Sequence, residues 1–152
     1  MSEPVVVDHR YLVFTLGVEC YATPLLEVRE VVEYQPPKIM PNMAPHFAGV
    51  INIRGSIVGV VDLRKKLSVQ EQNGAKPVLL VCDTTQGLLA AVVDRVDSVA
   101  EILDELIDKN PPVQSRIPTN YLYGVADLKG RLITVIHLQK SMSEDQISRA
   151  VA

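Results

Sequence analysis

The sequence has no tryptophan, two phenylalanines and two cysteines among its 152 residues, and aromatic side chains make up 5% of it. So few rings argue against the aromatic platforms on which single-stranded nucleic acid stacks. Positive charge is not in excess either: 15 Lys and Arg face 18 Asp and Glu, for a net charge of −3. The longest basic cluster, Arg64-Lys65-Lys66, is far short of a basic stripe, so nucleic acid and anionic membrane surfaces are not expected partners. Cys20 and Cys82 lie in apolar or alternating runs and read as two buried thiols in strands, where cysteine behaves as a small hydrophobe. No apolar run reaches the ~18 residues that span a bilayer. The opening Met1-Ser2-Glu3-Pro4 lacks a positive segment followed by a long apolar stretch, so no signal peptide is expected. These absences predict a cytoplasmic chain with no direct membrane insertion.

What is present is aliphatic. Apolar residues make up 47% of the chain, and Leu, Ile and Val dominate, as suits many short strands packed by branched side chains. Tyr11 to Leu16 and Glu19 to Thr23 read as a hairpin turning at Gly17-Val18. Pro24 can open a helical turn through Leu25-Val28. Val28 to Tyr34 alternates and predicts a half-exposed strand. That pattern leaves Val28 either facing outward or in the core with Glu30 on the solvent side. Four prolines within 35–45 exclude a helix interior or a central strand there. Gly49 to Leu63 is the clearest hairpin, with Arg54-Gly55 at its turn. Asp62 to Leu67 predicts one helical turn and Ser68 to Lys76 a surface loop. Val78–Cys82 and Leu88–Val93 form another hairpin, and the second run is apolar enough to be central and buried on both faces. Asp94 to Glu101 reads as a strand, Leu103 to Ile107 as a helical turn, Lys109 to Pro118 as a loop, and Leu122 to Leu138 as a third hairpin around Lys129-Gly130.

The chain also repeats itself. Residues 49–65 read GVINIRGSIVGVVDLRK and residues 124–140 read GVADLKGRLITVIHLQK, with six identities in 17 pairs. Two similar hairpins half a chain apart predict two similar β-units. Each alone is too small to bury much apolar surface, so the units should pack on each other. Their junction would form a groove, the usual place for a binding site.

Catalytic patterns are missing. His9, His46 and His137 lack helical i, i+4 partners, so no zinc motif is formed. Neither a nucleophile elbow nor a phosphate-binding glycine loop occurs. Cys82 has no polar neighbour in sequence, and the adjacent Asp104 and Glu105 diverge on a helix or strand. No catalytic residue, cofactor or metal is expected.

Several segments resemble the CheW family of chemotaxis coupling proteins. They are Tyr11 to Gly17, Tyr21, Pro24 to Val31, Phe47 to Arg64 with its Asn-Ile-Arg-Gly core, Val92 to Val96, Tyr121 to Val125 and Gly130 to Ile133. The resemblance covers residues 10–142, leaving an arm over 1–9 and a helical or frayed tail over 143–152. It implies a mainly β fold of two interlocked SH3-like five-stranded barrels with short helical turns and a C-terminal helix. It also implies a non-enzymatic adaptor that couples the cytoplasmic tip of methyl-accepting chemoreceptors to the regulatory domain of a CheA-type histidine kinase, in membrane-associated arrays. Arg54, Gly49 and Gly55 match family positions tied to that coupling, and Val28 and Glu30 match a strand implicated in it. His137 stands where the family commonly has an acidic residue. The alternatives are an adaptor of a pilus-motility or other chemosensory pathway and, in another class, a small nucleic-acid-binding β-barrel.

Overall fold

The computed structural model describes residues 8–67, 69, 76–110 and 121–142. Its strands are β1 (Arg10–Leu16), β2 (Glu19–Pro24), β3 (Glu30–Glu33), β4 (Phe47–Ile53), β5 (Ser56–Asp62), β6 (Val78–Thr84), β7 (Gly87–Val93), β8 (Arg95–Glu101), β9 (Ile107–Asp108), β10 (Leu122–Leu128) and β11 (Arg131–Ile136). A 3-10 turn covers Leu25–Glu27, another covers Asp104–Leu106, and α1 spans Leu63–Lys66. Residues 138–142 are helical. The expected tail, most of the loops over 68–76 and 109–118 and the first seven residues of the arm lie outside the described residues.

Two sheets form. The first runs β8-β1-β2-β11-β10-β9 and the second β3-β6-β7-β5-β4. They are versions of one plan. In the second, Val81 pairs with Ala90 on one side and Glu30 on the other. In the first, Val13 pairs with Ala22 and Ser98 in the same way. Val60 lies parallel to Ala90, and its repeat partner Val135 lies parallel to Ala22. The chain order differs: the second sheet is one continuous stretch, whereas the first joins the two N-terminal strands to the four C-terminal ones. The first sheet is thus a circular permutation of the second. Two five-stranded barrels were expected; the ladders instead leave both sheets open, and the two-residue β9 gives the first a sixth strand.

Burial explains the interlocking. Along β7, Leu89, Ala91 and Val93 enter a core shared by both sheets, while Ala90 and Val92 enter the second unit's own core. Along β1, Leu12, Phe14 and Leu16 enter the shared core and Tyr11 and Val13 the first unit's own. A central strand wetted on neither face needs the continuous apolar run read in the sequence.

The two hairpins of the repeat match in detail. Their turns place Arg54 and Gly55 at φ 48° and 89°, and Lys129 and Gly130 at φ 55° and 85°. Both central residues of a type I′ turn need such positive φ values. Asn52 Oδ1 accepts from the Gly55 amide at 3.0 Å, and Asp127 Oδ1 from the Gly130 amide at 2.8 Å.

The cysteines are both free, but only Cys82 is buried. Burial pushes the Cys82 thiol up to about 12. Cys20 is half-buried, contrary to the expected pair of buried thiols, because it stands at the turn end of β2 beside the exposed Val18 and Glu19; Arg131 reaches its sulfur from the neighbouring hairpin at 2.6 and 3.0 Å. Reactive cysteines sit in electropositive, partly exposed surroundings and buried apolar ones are inert. Mass spectrometry after maleimide treatment of the native chain should therefore find Cys20 modified and Cys82 intact; native labelling of Cys82 would contradict this packing.

Candidate functional site

Arg54 occupies the tip of the β4–β5 hairpin. A non-glycine residue in the left-handed region costs roughly 1–2 kcal/mol, and such strain persists where a side chain is wanted at that point. Arg54 is 70% exposed and its guanidinium pairs with the Glu30 carboxylate on β3. This pair closes the second sheet's open side through side chains rather than ladder bonds. β3 is held on its other side by β6, beginning where the Arg29 amide donates to the Val81 carbonyl at 2.7 Å. Between tip and edge strand lies a cleft of about 210 Å³. Its floor is Ile53, Val58, Val81 and Leu88, and its rim is Arg29, Glu30, Arg54 and Ser56. Arg29 also reaches Asp83 at 3.5 Å, where both side chains are exposed.

The structure gathers Arg54, Glu30 and the turn-forming Gly55 and separates the other two sequence candidates. Val28 precedes β3 instead of lying on it, and is half-buried against the shared core. Gly49 is at the far end of β4, with φ 144°, beneath the Lys38 carbonyl. Side chains of both sheets fill their junction as a shared core, and the cleft beside Arg54 lies within the second unit. Sequence reasoning missed Arg29 and Ser56. Both adjoin or alternate with named residues, but only the closure of the hairpin onto β3 makes them rim.

The permuted relation locates the same place in the first unit. Ser56 corresponds to Arg131, Arg29 to Asp97 and Leu88 to Cys20. There Arg131 lies across the space, donating to Cys20 Sγ and, at 3.1 Å, to Asp97. Thr15 and Arg95 also donate to Asp97, at 2.9 and 2.7 Å. Asp97 is held below the usual carboxylate range: burial raises it, and the donors from Thr15, Arg95 and Arg131 outweigh that. One unit thus keeps an open cleft where the other is bridged by its own arginine.

Two SH3-like sheets around a shared core, with a charged cleft on one, place the chain in the class of tandem SH3-like β proteins. It belongs to the CheW-like domain family, whose model matches residues 10–146. Among similar proteins, the chemotaxis protein CheW of Klebsiella aerogenes is 31% identical, over 93% of this chain and 86% of that one. The probable chemotaxis protein CheW of Rhizobium etli is 26% identical, over 94% and 93%. The crystal structure of the scaffolding protein TtCheW from Thermoanaerobacter tengcongensis superposes with a TM-score of 0.79 at 26% identity, covering 93% of this chain and 92% of that one. Among the described residues no helix is long and apolar enough to cross a membrane, and no group of three or more His, Cys, Asp or Glu could hold a metal ion.

Proposed function

We propose that the chain is a non-enzymatic scaffold that couples chemoreceptor tips to the regulatory domain of a CheA-type histidine kinase in chemotaxis. It acts in the cytoplasm beside membrane receptor arrays and contacts partners through the Arg54 cleft. The observation that carries the contact surface is Arg54 itself, held exposed in a strained turn and paired across the cleft with Glu30. Family membership and the TtCheW likeness support the scaffold role and do not favour the nucleic-acid reading.

Arginine is enriched among the few residues that dominate binding energy at protein interfaces, whereas an exposed ion pair contributes only about 0–1 kcal/mol to folding. Arg54→Ala should therefore weaken binding of the kinase regulatory domain about tenfold while shifting unfolding free energy by less than ~1 kcal/mol. Calorimetric titration and urea unfolding measure the two. No binding by the unmodified chain up to about 100 µM sinks the scaffold reading. Full binding by the variant removes Arg54 from the contact surface.

A further inference from the structure

The repeat aligns Asp62 with His137 and Arg64 with Gln139. In the second unit Asp62 caps α1 in the ordinary way, its Oδ1 accepting from the Arg64 amide at 3.1 Å. A capping carboxylate satisfies an amide that the first helical turn leaves without an intrahelical partner. In the first unit the corresponding position is His137, and the corresponding amide, that of Gln139, donates instead to Glu27 Oε1 at 3.0 Å. The cap has moved to another element, the 3-10 turn that follows β2. Glu27 Oε2 lies 3.2 Å from His137 Nδ1, and the Glu27 carbonyl accepts from Gln139 Nε2 at 3.1 Å. One residue therefore holds the start of the helical segment at three points, two residues before Arg29 joins β6 and three before Glu30 meets Arg54.

We infer that Glu27 and His137 form a charge-coded clasp in which Glu27 is a positioning residue for partner binding, fixing the approach of the Val28–Glu30 segment to the Arg54 cleft. The partner side of this inference rests on the scaffold reading above; the clasp itself does not. Among the described residues, the groups facing His137 are Glu27 on the 3-10 turn and the Tyr123 ring on β10, edge-on at 5.1 Å. Tyr123 donates to Asp104, which Lys109 also pairs. That hydrogen bond holds Asp104 below the usual carboxylate range and pushes Tyr123 up, and it leaves Glu27 as the carboxylate turned to His137.

The test compares the full chain with His137→Asp and with the exchanged pair Glu27→Lys/His137→Asp. The single change sets two carboxylates against each other. The exchange restores opposite charges and supplies a cap from position 137 as Asp62 does for α1. Binding of the kinase regulatory domain should be about tenfold weaker in the single variant than in the unmodified chain. In the exchanged variant it should return to within about threefold of the unmodified chain. An exchanged variant no better than the single one overturns the inference. If the unmodified chain binds no kinase domain at all, the scaffold reading fails. The clasp is then decided by urea unfolding of the same three chains, in which the single variant should lose stability and the exchanged pair recover most of it; an exchanged pair no more stable than the single variant overturns it.

Discussion

Replacing Arg64 by methionine should lower the unfolding free energy by about 3–5 kcal/mol, the cost of removing one partner from a buried ionic cluster. Arg64 is 13% exposed, with Nε 3.2 Å from Asp62 Oδ1 and Nη1 3.1 Å from Asp94 Oδ1. The two carboxylates are 9% and 4% exposed, so removing the guanidinium takes a cationic partner from two groups that water hardly reaches. The cluster also ties the units together. Asp94 Oδ2 accepts from the Gly17 amide in the β1–β2 turn at 2.6 Å, and the Asp94 amide donates to the Thr15 carbonyl at 3.0 Å. Arg64 thus links α1, beside the second sheet, to the hairpin tip of the first. A loss of this size is a large fraction of the roughly 5–15 kcal/mol that keeps a domain folded. Arg64→Lys should fall between, since it keeps the charge but not the fork that serves two carboxylates at once. Denaturant unfolding of the three proteins provides the comparison. A methionine variant within 1 kcal/mol of the parent would show that the cluster contributes no net stability.

Gly49→Ala should be nearly as damaging, at about 2–5 kcal/mol, whereas Gly55→Ala should cost about 1 kcal/mol. Both glycines belong to the same motif, and sequence alone treats them alike. A Cβ on Gly49 would stand 2.3 Å from the Lys38 carbonyl oxygen and 2.7 Å from its carbon. That carbonyl cannot step aside easily, because Lys38 and Val50 exchange two backbone hydrogen bonds of 2.8 and 2.9 Å. At Gly55 only the backbone conformation resists, for nothing lies within 4 Å. Gly124, the repeat partner of Gly49, meets the Asp108 carbonyl oxygen at 2.5 Å in the same way. Any coupling defect of a Gly49 variant should therefore track loss of folded protein, unlike that of Arg54→Ala. Urea unfolding decides: a Gly49→Ala protein as stable as its parent would mean that Lys38 yields freely.

The local features were legible in the sequence. Gly-bearing turns, alternation and the two-face apolar run at Leu88–Val93 marked the hairpins, and the repeat marked the two units. Pairing between distant segments was not. Nothing near Glu30 says that β3 will join Val81 instead of the hairpin it follows, because ladder partners are chosen by the packed whole. The same reach hid the Arg131–Cys20 bridge, which spans 111 positions. It hid β9 as well: two residues pair with β10 where the sequence suggested the end of a helical turn and the start of a loop. The alternation left Val28 open between solvent and core; it precedes β3 and is half-buried against the shared core, where the 3-10 turn delivers it.

The permuted order of the strands has a consequence for synthesis. The ladder of the second sheet is complete once residue 93 has left the ribosome, since β3 to β7 form one continuous stretch. The first sheet has no such early moment. Its opening hairpin, β1 and β2, comes first among the described strands yet acquires its outer neighbours only when β8 and β11 arrive. Closing so long a loop is what makes distant strand pairing slow. Leu12 and Phe14 of that hairpin share one buried cluster with Leu89 and Ala91 of the second sheet, so the ladder completed last in the chain is also packed against the one completed first.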